Sequence, residues 1–194
     1  MSEARAEQRD ESGRPPLALH VCCGPCATAV IERLREEWDV RAVWHNPNIQ
    51  PREEYLKRLE SMRRVAELSD VPLAELERDV EAWREACRGL MDEPEGGARC
   101  DVCFRMRLER TARWAAERGI DVITTTLTVS PHTPAERVNA IGEEVACEHG
   151  LRFLAENFKK RHGFQRSVEL SKRWGLYRQT WCGCLPSRDE SRGA

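Results

Sequence analysis

Nine cysteines give this 194-residue chain its main capacity for chemistry, and seven of them fall into three tight groups. The groups read CCGPC from Cys22 to Cys26, CDVC from Cys100 to Cys103, and CGC from Cys182 to Cys184. Clustered thiolates are the ligands of a [4Fe-4S] cluster and of tetrahedral zinc, and each such site takes about four of them. Because seven thiols exceed that need, we expect a cluster accompanied by a second metal or by a redox-active thiol pair.

Three other functions would use some of these cysteines. Cys23-Gly-Pro-Cys26 is similar to the dithiol of a thioredoxin-like oxidoreductase, although Cys22 and the other two groups have no role there. A zinc-stabilised RNA-binding module without catalysis would also need clustered thiols. A sulfur-transfer enzyme would need a nucleotide-activating loop rich in Ser and Gly where CCGPC stands, so ATP is not expected. Cys87 and Cys147 fall on the apolar sides of predicted helices, where a single cysteine is usually a small buried hydrophobe.

The hydrophobic pattern predicts the elements that must position the thiols. Leu17–Val21 and Val40–Trp44 indicate strands, and residues 27–38 between them indicate a helix, so this segment predicts a βαβ unit. Strands and helices alternate through the rest of the chain. We therefore expect a three-layer α/β fold, with a mainly parallel Rossmann-like sheet and helices on both faces. Ligands of such sheets bind beyond the carboxyl ends of the strands, where we expect the cysteine-bearing loops.

Two local expectations concern the second half of the chain. Residues 121–129 are rich in Thr, Val and Ile and predict one strand. The CDVC group is expected on a loop, after the Gly-rich segment EPEGG and before a helix over Arg105–Arg118. Within it, Asp101 is a candidate metal ligand or the N-cap of that helix.

Length, apolar runs and charge limit the domain organisation, the location and the partners that the protein can have. We expect one catalytic domain over residues 17–187, between a flexible N-terminal arm of residues 1–16 and a C-terminal tail of residues 188–194. No apolar run approaches the roughly 18–20 residues that cross a bilayer, and no signal peptide is recognisable, so we expect a cytoplasmic protein without a membrane partner. The formal net charge is −2, but most of the charged residues in segment 152–178 are Lys or Arg. This segment therefore predicts a positively charged surface for an anionic partner.

Six segments of the chain, taken in order, resemble the QueH-type epoxyqueuosine reductases. They are HVCCGPC, NPNIQPREEY, EPEGGARCDVCFRMRL, TTLTVSPH, NFKKRHGFQRS and YRQTWCGC. The resemblance covers residues 17–187 and implies a nucleotide-hydrolase-like Rossmann fold. It also implies removal of the epoxide oxygen of epoxyqueuosine at the tRNA wobble position, giving queuosine without cobalamin. Two departures stand out: GPCA replaces the APCS common in the family, and Thr133-Pro134 follows SPH where the family commonly has Lys.

The resemblance further implies a [4Fe-4S] cluster and an additional mononuclear iron, bound among the seven clustered cysteines. These are Cys22, Cys23, Cys26, Cys100, Cys103, Cys182 and Cys184. The partners would be a tRNA anticodon loop carrying epoxyqueuosine and an electron donor such as a ferredoxin or flavodoxin.

Removing an epoxide oxygen to leave an alkene takes two electrons and two protons. Cys23, His132 and Tyr177 are the catalytic candidates, because they lie in the quoted segments and carry exchangeable protons. Asn46 and Asn48 are candidates for contacts to the modified base. Basic side chains are candidates for the flanking phosphates. The basic candidates are Lys159, Lys160, Arg161, Arg166 and Arg178.

Overall fold

The computed structural model describes residues 13–193, so most of the expected N-terminal arm of residues 1–16 lies outside the described residues. In chain order the elements are β1 (Pro16–His20), α1 (Gly24–Leu34), β2 (Asp39–Trp44), α2 (Arg52–Ser69), β3 (Leu73–Glu75), α3 (Val80–Ala86), α4 (Ala98–Ala116), β4 (Val122–Thr125), a 3₁₀ helix (Thr126–Val129), α5 (Ala135–Glu148), β5 (Arg152–Phe153), α6 (Gly163–Arg173) and α7 (Leu185–Gly193). Strands and helices alternate from β1 to β3, as the hydrophobic pattern predicted.

The strands form one parallel sheet in the order β3-β2-β1-β4-β5. β1 lies at its centre and is buried along its whole length. Successive side chains of a strand point to opposite faces: Leu17 and Leu19 pack with α1 and α2, and Ala18 packs with α4 and α5. The sheet therefore has a helical layer on each face, and the expected α/β fold is confirmed.

The strand order reverses between β1 and β4, and this point positions the first thiols. His20 pairs with Thr125 at the carboxyl ends of the two strands. In open parallel sheets, ligands occupy the crevice at such a switch point. Cys22 and Cys23 follow β1 directly, so they lie where this fold binds its ligands.

The end of β4 differs from the sequence prediction. The strand stops at Thr125, and a 3₁₀ helix replaces the strand expected as far as Val129. The hydroxyl of Thr125 accepts a hydrogen bond from the backbone nitrogen of Leu127 at 3.2 Å, which starts the turn. Composition favoured a longer strand because Thr and Val prefer strands, but a capping Thr side chain competes with the ladder.

α4 begins earlier than predicted and contains Cys100 and Cys103, so the expected loop placement of the CDVC group was wrong. Gly97 is the N-cap residue, and the Cys100 backbone nitrogen donates to the Gly97 carbonyl at 3.0 Å. Asp101 therefore lies inside the first turn and is not the N-cap. Its carboxylate forms an ion pair with Arg137 of α5.

The C-terminal segment and the two lone cysteines complete the comparison. The domain boundary expected at residue 187 falls inside α7, which begins directly after Cys184. Cys87 is buried as expected. Cys147 on α5 is exposed, so the expectation that it is buried was wrong.

Candidate metal centre

Cys22, Cys23 and Cys26 form the first cysteine group, in which the three Sγ atoms lie within 4.8 Å of one another. Cys23 occupies the N-cap position of α1, and its Sγ accepts a hydrogen bond from the Cys26 backbone nitrogen at 3.3 Å. The N-terminus of a helix favours negative charge. The turn between β1 and α1 thus gathers three thiols where a thiolate is stabilised.

Hydrogen bonds inside the first cysteine group make one thiol acidic and two weakly acidic. The hydrogen bond from Cys23, followed by that from Cys26, holds the pKa of Cys22 well below its usual range. Burial raises the pKa of Cys23 to about 12, and the hydrogen bond with Cys22 raises the pKa of Cys26. A thioredoxin-like exchange needs a low pKa within the CxxC pair. Both members of the Cys23–Cys26 pair have raised pKa values, so the pair does not resemble a thioredoxin-like dithiol.

Thr126 supports Cys22 from the end of β4. Its Oγ1 accepts a hydrogen bond from the Cys22 backbone nitrogen at 3.0 Å and donates one to Cys22 Sγ at 3.2 Å. A hydroxyl that donates to sulfur stabilises the thiolate, which is the role that outer hydrogen bonds have at metal sites. The 3₁₀ helix that sequence analysis missed therefore begins with a residue of the site.

The second cysteine group is supplied by α4 and by the segment before α7. It consists of Cys100, Cys103, Cys182 and Cys184. Cys103 and Cys184 are buried and pack together with Trp83 and Cys87. A hydrogen bond from Cys182 lowers the pKa of Cys184 to about 6. Burial raises the pKa of Cys103, so this group also combines an acidic thiol with weakly acidic ones.

The two cysteine groups are neighbours in the fold. Cys22 packs against the buried cluster that contains Cys100 and Phe104. Within residues 13–193, the first cysteine group is the one set of three or more Cys, His, Asp or Glu ligand atoms that all lie within 4.8 Å. The thiols of the second cysteine group are more widely spaced.

Arg58 of α2 holds the loop that carries Cys182. The side chain is 2% exposed; its Nη1 donates to the Cys182 carbonyl at 2.8 Å and its Nη2 to the Trp181 carbonyl at 3.1 Å. Its Nε pairs with Glu54 at 2.7 Å. Gly183 has φ +131, and a Cβ there would lie 2.9 Å from Arg58 Nη1. The glycine of CGC therefore allows the guanidinium to approach this backbone.

α7 and the EPEGG segment hold the same loop from the other side. The Cys182 backbone nitrogen donates to Ser187 Oγ at 3.2 Å, and Ser187 Oγ bonds to the carboxylate of Glu95. Arg99, which is buried, donates to the Met91 carbonyl at 2.8 Å and lies 3.6 Å from Glu190. These contacts bring the second cysteine group together from segments that are far apart in sequence.

The other catalytic candidates lie at the surface. His132 is exposed in the turn before α5. Tyr177 is 38% exposed, and its hydroxyl donates to Glu54 Oε2 at 2.8 Å. Burial, followed by the hydrogen bond to Glu54, raises the pKa of Tyr177. The backbone carbonyl of Tyr177 lies 3.5 Å from Ser61 Oγ of α2, so the residue is anchored to the helix that also provides Arg58.

Asn46 and Asn48 are both buried, but they differ in how their amides are used. Asn46 donates from Nδ2 to the Val21 carbonyl at 3.0 Å and accepts from Arg107 at Oδ1 at 2.5 Å. A base could bind Asn46 only by displacing these partners. Asn48 Oδ1 is buried and has no hydrogen-bond partner among the described residues, so its carbonyl is the more available of the two.

The five basic candidates differ in whether their side chains already have hydrogen-bond or ion-pair partners. Lys159 Nζ donates to the Thr133 carbonyl at 2.7 Å, and Arg166 pairs with Glu32 at 2.7 Å and with Glu169 at 2.9 Å. Arg178 donates to Ser171 Oγ at 2.5 Å. Lys160 and Arg161 are exposed, and no side-chain hydrogen bond or ion pair engages them within residues 13–193. Those two are the cations most available to an anionic partner.

Sequence reasoning missed Arg107 and Thr126 as site residues, and it noted Arg58 only beside the NPNIQPREEY motif, without a role. Arg58 and Arg107 are charged residues on the apolar sides of their helices, next to Leu59 and Leu108. An arginine at a position that the helical period assigns to the core signals a buried counter-charge or a ligand. That signal was present in the sequence. For Thr126 no such signal existed, because its stretch read as a strand.

Comparison with known proteins identifies relatives for nearly the whole chain. The sequence model of the family described as epoxyqueuosine reductase QueH matches residues 17–190. An epoxyqueuosine reductase QueH of Streptococcus pyogenes is 38% identical over 181 residues, which are 90% of this chain and 71% of the relative. The proteins of that name from Acinetobacter baylyi and Thermotoga maritima are each 37% identical, covering 99% and 91% of this chain and 89% and 92% of theirs.

Two solved structures share the fold. A U34-tRNA thiolase, NcsA from Methanococcus maripaludis with its [4Fe-4S] cluster, has a TM-score of 0.56 at 11% identity, covering 96% of this chain and 68% of that one. A predicted subunit of tRNA methyltransferase from Methanocaldococcus jannaschii has a TM-score of 0.52 at 8% identity, with coverage of 80% and 74%. Among the described helices, none is long and apolar enough to cross a bilayer.

Proposed function

The chain belongs to the epoxyqueuosine reductase QueH family, and on this premise we propose that it removes the epoxide oxygen of epoxyqueuosine at the tRNA wobble position to give queuosine. The reaction would proceed in the cytoplasm, without cobalamin and without ATP. The observation that carries the proposal is the first cysteine group, with three thiols within 4.8 Å at the switch point of the sheet.

The donor sets fit the two proposed metals. Together the two cysteine groups supply seven thiols, which is enough for the roughly four that a [4Fe-4S] cluster takes and for an additional iron, and the first group lies at a helix N-terminus that favours negative charge. Asp101 is a further candidate metal ligand, which would have to leave Arg137. When bound, the cluster supplies electrons and the iron supplies a Lewis acid.

The chain's own residues would supply protons and hold the substrate. Reduction adds two electrons and two protons, and the epoxide oxygen departs as water. Tyr177 is the first proposed proton donor, because its partly exposed hydroxyl carries a proton that it donates to Glu54 Oε2 in this structure. His132 is the second proposed donor, and Cys23 takes part as a ligand.

The anticodon loop would bring the modified base to these residues from a single-stranded region. Asn48, with its unpartnered carbonyl oxygen, is the proposed contact to the base, ahead of Asn46. Lys160 and Arg161 are the proposed contacts to flanking phosphates. Lys159, Arg166 and Arg178 are less favoured candidates, because their side chains already have partners within the protein. Electrons would enter from an external carrier such as a ferredoxin or flavodoxin.

Anaerobic purification followed by turnover tests the cofactor and the reaction together. We expect a brown protein with iron and acid-labile sulfide, which converts epoxyqueuosine in tRNA to queuosine when a low-potential reductant is added. Cys22→Ala, Cys23→Ala and Cys26→Ala should each lose the colour and the activity. Cys147→Ser, at an exposed thiol on α5, is the matched control and should retain both. A colourless wild-type protein that binds only zinc and leaves epoxyqueuosine unchanged would contradict the proposal and favour an RNA-binding module.

A further inference from the structure

Arg107 lies between the two cysteine groups and is almost completely buried. It is 3% exposed and belongs to α4, four residues after Cys103, so both side chains share one face of the helix. Its guanidinium donates to Asn46 Oδ1, and Asn46 Nδ2 donates to the Val21 carbonyl, one residue before Cys22. Its positive charge acts to lower the pKa of both the Cys103 and the Cys22 thiols. One buried cation therefore borders thiols of both groups.

This cation has no carboxylate partner among the described residues. Arg58 is paired with Glu54 and Arg99 with Glu190, but Arg107 forms no ion pair with Asp or Glu within residues 13–193. Its hydrogen bond is to a neutral atom, Asn46 Oδ1, and its Nε has no partner. A guanidinium stays charged in any protein environment, and a buried charge without an opposite charge is strongly unfavourable. The fold must therefore provide the opposite charge in another form.

The groups around Arg107 leave thiolates as that opposite charge. His20 and His45 are both buried. His20 Nδ1 is paired with the Thr125 hydroxyl at 2.8 Å, and burial lowers the pKa of His45 to about 4, so the His45 imidazole is neutral at pH 7. Cys22 and Cys103 are the remaining groups that can carry negative charge beside Arg107, as thiolates or as metal-bound sulfurs.

Asn46 fixes the position of the guanidinium. Its Nδ2 is bonded to the Val21 carbonyl at the end of β1, and its Oδ1 receives the Arg107 hydrogen bond. The amide thus ties Arg107 to the strand that precedes the first cysteine group. This arrangement gives the buried Asn46 a role that does not involve the substrate.

We propose that Arg107, held by Asn46, is a positioning residue that acts as the shared counter-cation of the two cysteine groups and makes reduction of the bound cluster more favourable. The proposal rests on the proposed function, in that it assumes a metal on these thiols. An added electron increases the negative charge of a thiolate-bound cluster, so a fixed positive charge nearby favours the reduced state.

The reduction potential of the anaerobically loaded full-length protein tests the proposal, by EPR-monitored titration. Arg107→Gln removes the charge, and Asn46→Asp places a carboxylate of similar shape against the guanidinium. Each should make one-electron reduction at least tenfold less favourable, which is about 59 mV. Arg107→Lys keeps the positive charge, so its reduction potential should lie close to that of the wild type. Arg105→Gln is the matched control: it lies on the same helix but is bonded to Glu144 and Glu148 on the outer side, and should stay within about twofold of the wild type.

Binding of Co²⁺ to the metal-free chain gives a second readout that does not need the cluster. Arg107→Gln should weaken thiolate-bound Co²⁺ by about 10–100-fold, the range found for residues that support metal ligands. If Arg107→Gln does not retain a cluster, Asn46→Asp and Arg107→Lys decide the question. Unchanged potential in Asn46→Asp, or an equal loss in the Lys and Gln variants, would overturn the proposal. Failure of the wild type itself to assemble any cluster would instead overturn the proposed function.

Discussion

Arg58 on α2 donates a hydrogen bond from Nη1 to the carbonyl oxygen of Cys182, 124 residues later in the chain, over 2.8 Å. The contact touches no sulfur atom, yet it fixes the backbone on which Cys182 and Cys184 depend. The same guanidinium binds the Trp181 carbonyl and lies over the Trp181 ring at 5.0 Å. A helix without a cysteine therefore determines where half of the second cysteine group lies.

We predict that Arg58→Lys weakens this group. Lysine keeps the charge opposite Glu54 but lacks the planar fork that reaches two carbonyls at once. The free energy of unfolding should fall by about 2 kcal/mol, since two partly buried carbonyls lose their donors. Co²⁺ binding should weaken by about tenfold or more. Urea denaturation and Co²⁺ titration measure the two effects. Arg63→Lys, on the exposed side of α2, is the control, and a similar loss in both variants would contradict the prediction.

A second prediction concerns Gly24, the first residue of α1. A Cβ on Gly24 would lie 2.6 Å from Ser61 Oγ and 2.7 Å from the Ser61 carbonyl oxygen. Gly24→Ala should therefore push α1 from α2 and lower the free energy of unfolding by about 1–3 kcal/mol. The double variant with Ser61→Ala should recover only part of this loss, because the backbone carbonyl remains. Thermal and urea unfolding test it, and full recovery in the double variant would show that the hydroxyl alone matters.

The exposed cations Lys160 and Arg161 lead to a prediction for tRNA binding. Replacing both with Gln should weaken binding of an epoxyqueuosine-containing tRNA and reduce the slope of log affinity against log salt by about 0.7 for each phosphate that is no longer neutralised. Fluorescence anisotropy at several salt concentrations measures this slope. Arg166→Gln should change it less, because Glu32 and Glu169 already neutralise that guanidinium. Equal affinity of the double variant and the wild type at every salt concentration would exclude this docking face.

His45 leads to a prediction for acid stability. Burial lowers the pKa of His45 to about 4, below the usual 6.5, while Nδ1 bonds to the Glu77 carbonyl at 3.1 Å. Between these pH values the unfolded chain binds the extra proton, so this residue lowers the stability of the fold as the pH falls from about 6.5 to about 4. His45→Asn keeps a donor for Glu77 and removes the titration.

The variant should lose less stability than the wild type on acidification, by about 3 kcal/mol at pH 4. Urea denaturation of both metal-free proteins under reducing conditions, from pH 7.5 to pH 4, measures the difference, because all other titrations are shared. Parallel curves for the two proteins would contradict the prediction.

The local sequence pattern was sufficient to predict most of the strands and helices. The apolar run Leu17–Val21 predicted a strand, and β1 lies at the centre of the sheet with both faces covered by helices. Apart from the exposure of Cys147, the errors lie at element boundaries. Cys100 and Asp101 joined α4 because Gly97 provides the turn, and Thr125 ended β4 because its hydroxyl caps a 3₁₀ helix.

The residue types of the site could be predicted from the sequence, but most of their hydrogen-bond and ion-pair partners could not. Cysteine spacing identified Cys22, Cys23 and Cys26 as one group, because residues three apart across a strand-to-helix turn lie close together. Nothing local indicates that Arg166 pairs with Glu32 or that the Asn46 amide is fully used within the protein. Such pairings depend on which helices become neighbours across the sheet, and this is set by topology.

The distance in sequence between Cys103 and Cys182 also bears on the order of events in the cell. During translation, the thiols on α4 emerge well before their partners, with β4, α5, β5 and α6 made in between. A nascent chain therefore holds unpartnered thiols for the time it takes to make these elements, and the second cysteine group becomes available only after α6 has left the ribosome. Metal can therefore reach the complete second cysteine group only after α6 has been made, and a chain truncated within α6 would lack two of the four thiols of that group.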